Sequence, residues 1–405
     1  MSEMNYSPGE VLQFVGEEDI KFVRLAFCDV YGEQKNVAIM ASELERAFSY
    51  GIAIDASAID GFGGEVHSDL LLHPNASTLV QLPWRPQQGK VVRMFCDVSY
   101  PDGTPFESDT RQILKRAVDE AEKAGYRFSF GSEIEFYLFL IGENGEPTSQ
   151  PHDQAGYMDI APEDKGENVR REICLMLEQM GIFPESSHHE GGPGQNEIDF
   201  RYSDPLTAAD NAITFYTVVK TIAALDGLHA DFSPKPLPEK DGNGMHINFA
   251  VRDASDKDAL LGAIAGILAH IQDITAFLNP CEASYNRLGC DKAPGYVSWS
   301  KENRSQLVRI PYPAGGLPRA ELRSPDPTAN PYLAFALVIY AALDGLREGL
   351  PLPESADCNL FTAPAAVLDG YRKLPGSLRE AKAISAESEF LKKHLPGAIL
   401  ESYCR

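Results

Sequence analysis

FGSEIEFYLF, residues 130–139, sets Glu133 and Glu135 between apolar neighbours. Strand side chains alternate faces, so the segment predicts both carboxylates on one side and Ile134 and Phe136 on the other. Two like charges so close repel unless a cation lies between them, and burial strengthens the repulsion. The pattern alone fits either an acidic face on an edge strand or a shared cation, and the flanking chain bears on which.

Three further segments supply matching chemistry. SSHHEGGPGQNEIDF (186–200) sets Glu190 and Glu197 around a Gly-Gly-Pro-Gly turn that folds the chain back, so both can point at one place. Adjacent His188 and His189 face opposite ways on a strand, so at most one joins Glu190. KPLPEKDGNGMHINF (235–249) offers His246 after a glycine-rich loop, and RAELRSPDPTANPY (319–332) places Glu321 between Arg319 and Arg323. Strand alternation projects those three to one side. One His and five Glu, mostly hard oxygen donors, suit Mg²⁺ or Mn²⁺ better than structural zinc. The segment 286–311, NRLGCDKAPGYVSWSKENRSQLVRIP, adds Arg304 and Arg309. Cations plus arginines around one pocket are the constellation of phosphoryl transfer. Neither a Walker GxxxxGK[ST] nor a Rossmann GxGxxG occurs.

The first hundred residues alternate apolar runs with turns, at 20–34, 76–84 and 91–105, and predict a small β-rich domain. DTRQILKRAVDEAEKAGY (109–126) then places Ile113, Leu114, Ala117, Val118 and Ala121 on one helical stripe ending at Gly125. The expected division is residues 1–104 and 105–405, an α+β chain whose larger part mixes strands with long helices. The net charge of −23 opposes nucleic acid and anionic membranes as partners. Seven cysteines, with no CxxC pair, argue against a disulfide framework. The N-terminus has no basic region followed by an apolar run, and the chain is read as cytoplasmic.

GSEIEFYLF, HHEGGPGQNEI, SPKP followed by GNGMH, WSKENRSQLVRIP and RAELRSPDPTANPYLAF, in this order, resemble glutamine synthetase of the bacterial class I type from about residue 20 onward. The resemblance implies a β-grasp-like N-terminal domain and a catalytic domain with a curved antiparallel sheet flanked by helices. It implies ATP and two or more Mg²⁺ or Mn²⁺ ions, with Glu135, Glu190 and Glu197 holding one ion and Glu133, His246 and Glu321 the other. Arg287 and Arg323 match the arginines that hold glutamate, and Gly242 lies in the loop at its amino end. Arg304, Arg309 and Arg319 match those serving the nucleotide phosphates and the transferred phosphoryl group. Asp55, in IAIDASAIDGF, looks like the aspartate that deprotonates ammonium in a neighbour's site, and Tyr157 like the tyrosine lining the ammonium pocket. A homo-oligomeric hexameric ring follows, with or without stacking into a dodecamer. Phe361, near the position of the family's adenylylated tyrosine, has no hydroxyl to modify.

The sequence departs from the pattern on the amine side. Where the family's closing loop carries a glutamate, GCDKAP aligns Lys292, with Asp291 one residue away; a lysine repels ammonium. Ala56 and Ala58 stand where the family has Gly and Ser, Asp241 replaces an Asn near glutamate, and Asn248 and Ala250 replace a His and a Ser near the nucleotide. The expectation is a ligase that phosphorylates the γ-carboxylate of glutamate and transfers it to an amine other than ammonia, as in relatives using methylamine or polyamines. The alternatives are ordinary glutamine synthesis, with Asp291 covering for the glutamate, and a non-catalytic relative kept for assembly or regulation.

Overall fold

The computed structural model describes residues 6–64, 66, 68–85, 89–252, 258–312 and 318–405. Contacts divide the chain into two compact units, Met1–Ile113 with Met176–Ile182, and Leu114–Leu175 with Phe183–Arg405.

The first unit is built on β1 (Phe22–Cys28), β2 (Gln34–Met40), β3 (Ile52–Asp55), β4 (Asp69–Pro74), β5 (Val80–Gln81) and β6 (Val91–Ser99). They form one sheet in the order β2-β1-β6-β4-β3, with β5 also on β6. β1 runs antiparallel to β2 and parallel to β6. Val23, Leu25, Val92 and Met94 are fully buried. Two helices escaped the strand-and-turn reading: α1 (Pro8–Glu17) and α2 (Leu44–Tyr50). α1 starts at a capping box in which Ser7 and Glu10 satisfy each other's backbone N–H. The strand read at 76–84 shrinks to β5, because the Asn75 side chain accepts from Ser77 N and winds 76–78 into a 3₁₀ turn.

The second unit carries β7 (Arg127–Ile141), β8 (Pro147–Pro151), β9 (Pro184–His189), β10 (Gln195–Phe200), β11 (Leu228–Asp231), β12 (Met245–Arg252), β13 (Trp299–Lys301), β14 (Val308–Ile310) and β15 (Ala320–Leu322). Their order is β13-β14-β15-β12-β7-β10-β9, with β8 and β11 also on β7. All pairs are antiparallel except β13–β14, so the expected antiparallel sheet is mixed.

The helices in chain order are α3 (Thr110–Lys123), α4 (Glu167–Gln179), α5 (Pro205–Leu225), α6 (Ala259–Leu278), α7 (Glu282–Arg287), α8 (Pro331–Glu348), α9 (Ala365–Leu368), α10 (Leu378–Glu387), α11 (Glu389–His394) and α12 (Gly397–Cys404); α3 and α4 contribute residues to both units. α5 and α8 begin with Asp204 and Asn330 as side-chain caps followed by proline, which lacks the N–H that a first turn leaves unpaired.

The even-numbered face of β7 is apolar and packs on helices. Phe136 lies 6.0 Å from Phe215 of α5, and Phe130 stacks on Phe335 of α8 at 4.7 Å. α6 is long and apolar enough to cross a membrane by composition, but most of its residues are buried in this unit, against α8 among others. A Cβ on Gly266 would collide with Ala341 O and come 2.7 Å from Gly345 N, so glycine lets the two helices cross closely. With its even face covered, β7 presents Glu133 and Glu135 on the other side.

Candidate active site

A cavity of about 1060 Å³ in the second unit is lined by carboxylates at one end of the sheet and arginines at the other. Strand register builds the acidic end. Glu135 of β7 pairs with Glu197 of β10, which pairs with His188 of β9; one step along, Glu133 pairs with Asp199 on one side and His246 of β12 on the other. Cross-strand partners share a face, so the alternation read in FGSEIEF and NEIDF delivers these side chains to one surface.

Possible ligand atoms lie within 4.8 Å of one another in the groups Glu133–His246–Glu321, Glu135–Glu197–His246 and His188–Glu190–Glu197. Glu190 is thus grouped with Glu197 and His188, and among the described residues no such trio joins it to Glu135. Burial and the charges of Glu135, Asp199, Glu133 and Glu190 hold the Glu197 carboxyl well above the usual range. Burial and Glu133 raise Asp199 to about 6, and burial raises Glu135, with Glu190 adding to it. Glu133 moves the other way: burial opposes its charge, but His246 Nδ1 at 3.3 Å and Asn248 Nδ2 at 2.8 Å outweigh it. Carboxylates forced together against their own repulsion, with one imidazole, are a donor set that fits hard divalent cations.

Glu321 of β15 joins the two ends. It is fully buried, accepts from Arg309 Nε at 2.5 Å and Arg323 Nη1 at 2.6 Å, and sits 3.5 Å from His246 Nδ1. Arg304, Arg309 and Arg319 line the same wall. Arg287 is buried, its guanidinium tied to Ser324 O at 2.7 Å and Arg323 O at 3.2 Å, and burial lowers its proton affinity. Gly242 lines the cavity, and the adjoining Gly244 N donates to Glu135 at 2.5 Å. A recess of about 250 Å³ behind Glu133 is lined by Tyr202, Asn248, Arg319 and others; Asn248 Oδ1 and Tyr202 Oη there have no partner among the described residues.

The loop before β13 resolves the choice between Asp291 and Lys292. Asp291 takes a left-handed backbone (φ 50°), and its carboxylate pairs with Lys235 Nζ at 2.5 Å. Lys235 also donates to Lys240 O, which makes it a loop anchor. Lys292 faces the cavity: its Nζ lies 2.9 Å from Asp241 Oδ2, 3.3 Å from Glu190 Oε2 and 5.3 Å from the Tyr157 ring centroid. Burial opposes the charge, but the bond to Asp241 and the Glu190 charge raise its proton affinity.

His188 and His189 split as their alternation requires. His188 faces the acids, 3.4 Å from Glu197 Oε1. His189 is fully buried, its Nε2 3.0 Å from Asp153 Oδ1. Asp153 also accepts from Gly194 N at 2.8 Å, Lys165 N at 3.1 Å and Ala155 N at 3.3 Å. One carboxylate therefore ties the Tyr157 loop to the Gly-Gly-Pro-Gly turn between Glu190 and Glu197. Sequence reasoning missed it, as it missed Asp199, which the alternation of Glu197 and Asp199 could have flagged. Asp55 closes β3 in the first unit, exposed, its side chain accepting from Ser57 N at 3.0 Å and Ser57 Oγ at 2.7 Å. These bonds lower its proton affinity. Trp299 is a core anchor, its Nε1 donating to Pro353 O at 2.8 Å.

Comparison with known proteins places this geometry. Residues 19–101 match the family model "Glutamine synthetase, beta-Grasp domain", and residues 107–405 match "Glutamine synthetase, catalytic domain". The glutamine synthetase of Clostridium saccharobutylicum is 45% identical over 413 residues, covering 98% of this chain and 93% of that protein. That of Staphylococcus aureus (strain MW2) is 42% identical over 419 residues, covering 100% and 94%. A solved structure of GmaS in complex with ADP superposes with a TM-score of 0.88 at 27% identity, over 97% of this chain and 93% of that one.

Proposed function

The chain belongs to the glutamine synthetase family, an ATP-dependent ligase using divalent cations, and from that premise we propose that it joins the γ-carboxyl of glutamate to an amine other than ammonia. The observation that carries the choice of amine is Lys292, which brings a positive charge to Glu190, Asp241 and Tyr157.

The reading assigns each wall a task. Glu133, His246 and Glu321 would hold one divalent cation and Glu135, Glu190 and Glu197 another, with His188 a further possible donor near Glu190 and Glu197. When bound, the cations neutralise phosphate oxygens. Arg287, Arg323 and Gly242 position glutamate. Arg304, Arg309 and Arg319 face the phosphates as the γ-phosphoryl group moves from ATP to a glutamate oxygen: the new P–O bond forms, the bond to ADP breaks, and ADP departs with the electron pair. The acceptor ammonium gives a proton to a carboxylate, and its nitrogen attacks the acyl carbon. As the nitrogen sheds its second proton, the carbon–oxygen bond to phosphate breaks and phosphate leaves. Tyr157 and Lys292 border the acceptor, and Asp55 serves as base in a neighbouring subunit of a homo-oligomeric ring. Crowded carboxylates without a cation destabilise a fold, which argues against a non-catalytic relative.

Ordinary glutamine synthesis is the second reading, favoured by the 45% identity to a glutamine synthetase along nearly the whole chain. Phosphate release with ATP, Mg²⁺ and glutamate, with ammonium or single amines added, separates the two. Greater turnover with a substituted amine is the expected result; turnover with ammonium alone establishes the second reading.

A further inference from the structure

We propose that Lys292 and Asp241 form a binding site for a zwitterionic acceptor, so that the second substrate is an amino acid whose carboxylate sits on Lys292 Nζ and whose amino group lies beside Asp241. This rests on the reading that the acceptor is not ammonia, and it names the acceptor's class.

The pair is built into the cavity. Its 2.9 Å bond lies directly over the Gly191 backbone, where a Cβ would come 2.8 Å from Lys292 Nζ and collide with the Asp241 carboxylate. The backbone on both sides is held: Tyr137 Oη donates to Asp241 O at 2.6 Å, and Arg323 Nη2 donates to Lys292 O at 3.4 Å. Lys292 spends one N–H on Asp241 and one on Glu190, and its side chain is 56% exposed, which leaves a third donor for the cavity.

Those contacts also exclude other acceptors. The carboxylates and the aromatic face that would attract a bare ammonium or alkylammonium ion have the protein's own cation among them, so such an ion meets that charge with nothing of its own to answer it. An acceptor whose only charge is positive gains nothing from Lys292 and is repelled by it. A carboxylate gains a charge-assisted hydrogen bond there, while the acceptor's ammonium matches Asp241. Sheet order keeps the pair apart from the phosphates: the arginines assigned to them lie toward β14 and β15, whereas Lys292 Nζ reaches Glu190, just past β9, and Asp241, so the acceptor would sit beside the cation assigned to Glu135, Glu190 and Glu197. The product is a γ-glutamyl amino acid.

The test uses matched acceptors differing only by a carboxylate: glycine against methylamine and L-alanine against ethylamine, with ammonium alongside, in a phosphate-release assay with ATP, Mg²⁺ and glutamate and mass analysis of the product. We expect kcat/KM for each amino acid to exceed its matched amine by about 10- to 100-fold, the worth of one charge-assisted bond. Lys292→Met should erase that ratio through acceptor KM, leaving the KM of ATP and glutamate in place, and Lys292→Arg should restore it. Equal use of the matched amines, or a ratio unchanged in Lys292→Met, overturns the amino-acid proposal and leaves the amine-ligase reading standing. Turnover with ammonium alone, or with no acceptor at all, overturns both.

Discussion

Asp153 is the residue whose loss should loosen the acceptor side of the cavity without touching it. The carboxylate is 4% exposed and accepts from three backbone amides and His189. Asp153→Ala strands the buried donors. The Ala155 amide, at 3.3 Å within the same loop, is the weakest contact. The other three, at about 1–3 kcal/mol for each orphaned donor, sum to roughly 3–9 kcal/mol of lost local stability. Asp153→Asn is milder. Oδ1 serves Ala155, His189 and Gly194, while Oδ2 serves Lys165 alone, so an amide keeps the first set and opposes one N–H with another, at about 1–3 kcal/mol. Amide hydrogen exchange followed by mass spectrometry reads local opening directly, whereas a global melt of a two-unit chain does not. Exchange in peptides covering 153–166 and 190–195 should rise by about 100-fold or more in Asp153→Ala and by about tenfold in Asp153→Asn. Acceptor KM should rise in the same order, because Tyr157 rides on this loop. Unchanged exchange in a folded Asp153→Ala protein refutes the argument.

Two further outcomes follow from buried charge. Mg²⁺ or Mn²⁺ should raise the melting temperature, by about 2.7 kcal/mol of stabilisation at a hundred times the dissociation constant, and Glu197→Gln should blunt the response; a melting curve indifferent to millimolar metal contradicts the cation assignment. His394, stacked on Tyr340 at 4.1 Å, is pushed down to about 4 by burial. Between about pH 6.5 and 4 the unfolded chain binds a proton there that the folded chain does not, so stability falls as pH drops through that window. His394→Phe should flatten that limb of a pH–stability profile; an unchanged slope assigns the limb to other groups.

What the sequence made legible was local. Period two in FGSEIEF placed Glu133 and Glu135 on one face, and the same rule separated His188 from His189, because strand geometry needs no knowledge of distant residues. The capping box of α1 was also local, yet that short helix buries only Val11 and Val15 and left little periodic signal. The Asp153–His189 contact spans 36 residues and no pattern announces it. The choice between Asp291 and Lys292 depended on a left-handed turn at Asp291 and on Lys235, 56 residues earlier, drawing the aspartate away. An aspartate tolerates that backbone conformation, but spacing alone does not reveal it.

The net charge of −23 invites the thought that the acid is gathered at the site. It is not. Among the described residues, Glu133, Glu135, Glu190, Glu197, Asp199 and Asp241 line the cavity, opposed by Arg287, Lys292, Arg304, Arg309, Arg319 and Arg323. The cavity is thus close to balanced but divided, acid on β7 and β10 and in the loops at Glu190 and Asp241, and base toward β14 and β15. A divided cavity is complementary to a ligand that is itself divided, and a divalent cation bound to a polyphosphate has that charge map. Lys292 is the exception, a cation among the acids. A second positive charge about 4 Å from it meets about 4 kcal/mol of repulsion at an effective dielectric of 20, less after screening at a half-exposed side chain. Asp241 and Glu190 offset that repulsion only in part, because both also balance Lys292. An acceptor that brings its own negative charge supplies the missing compensation, and a bare ammonium ion does not.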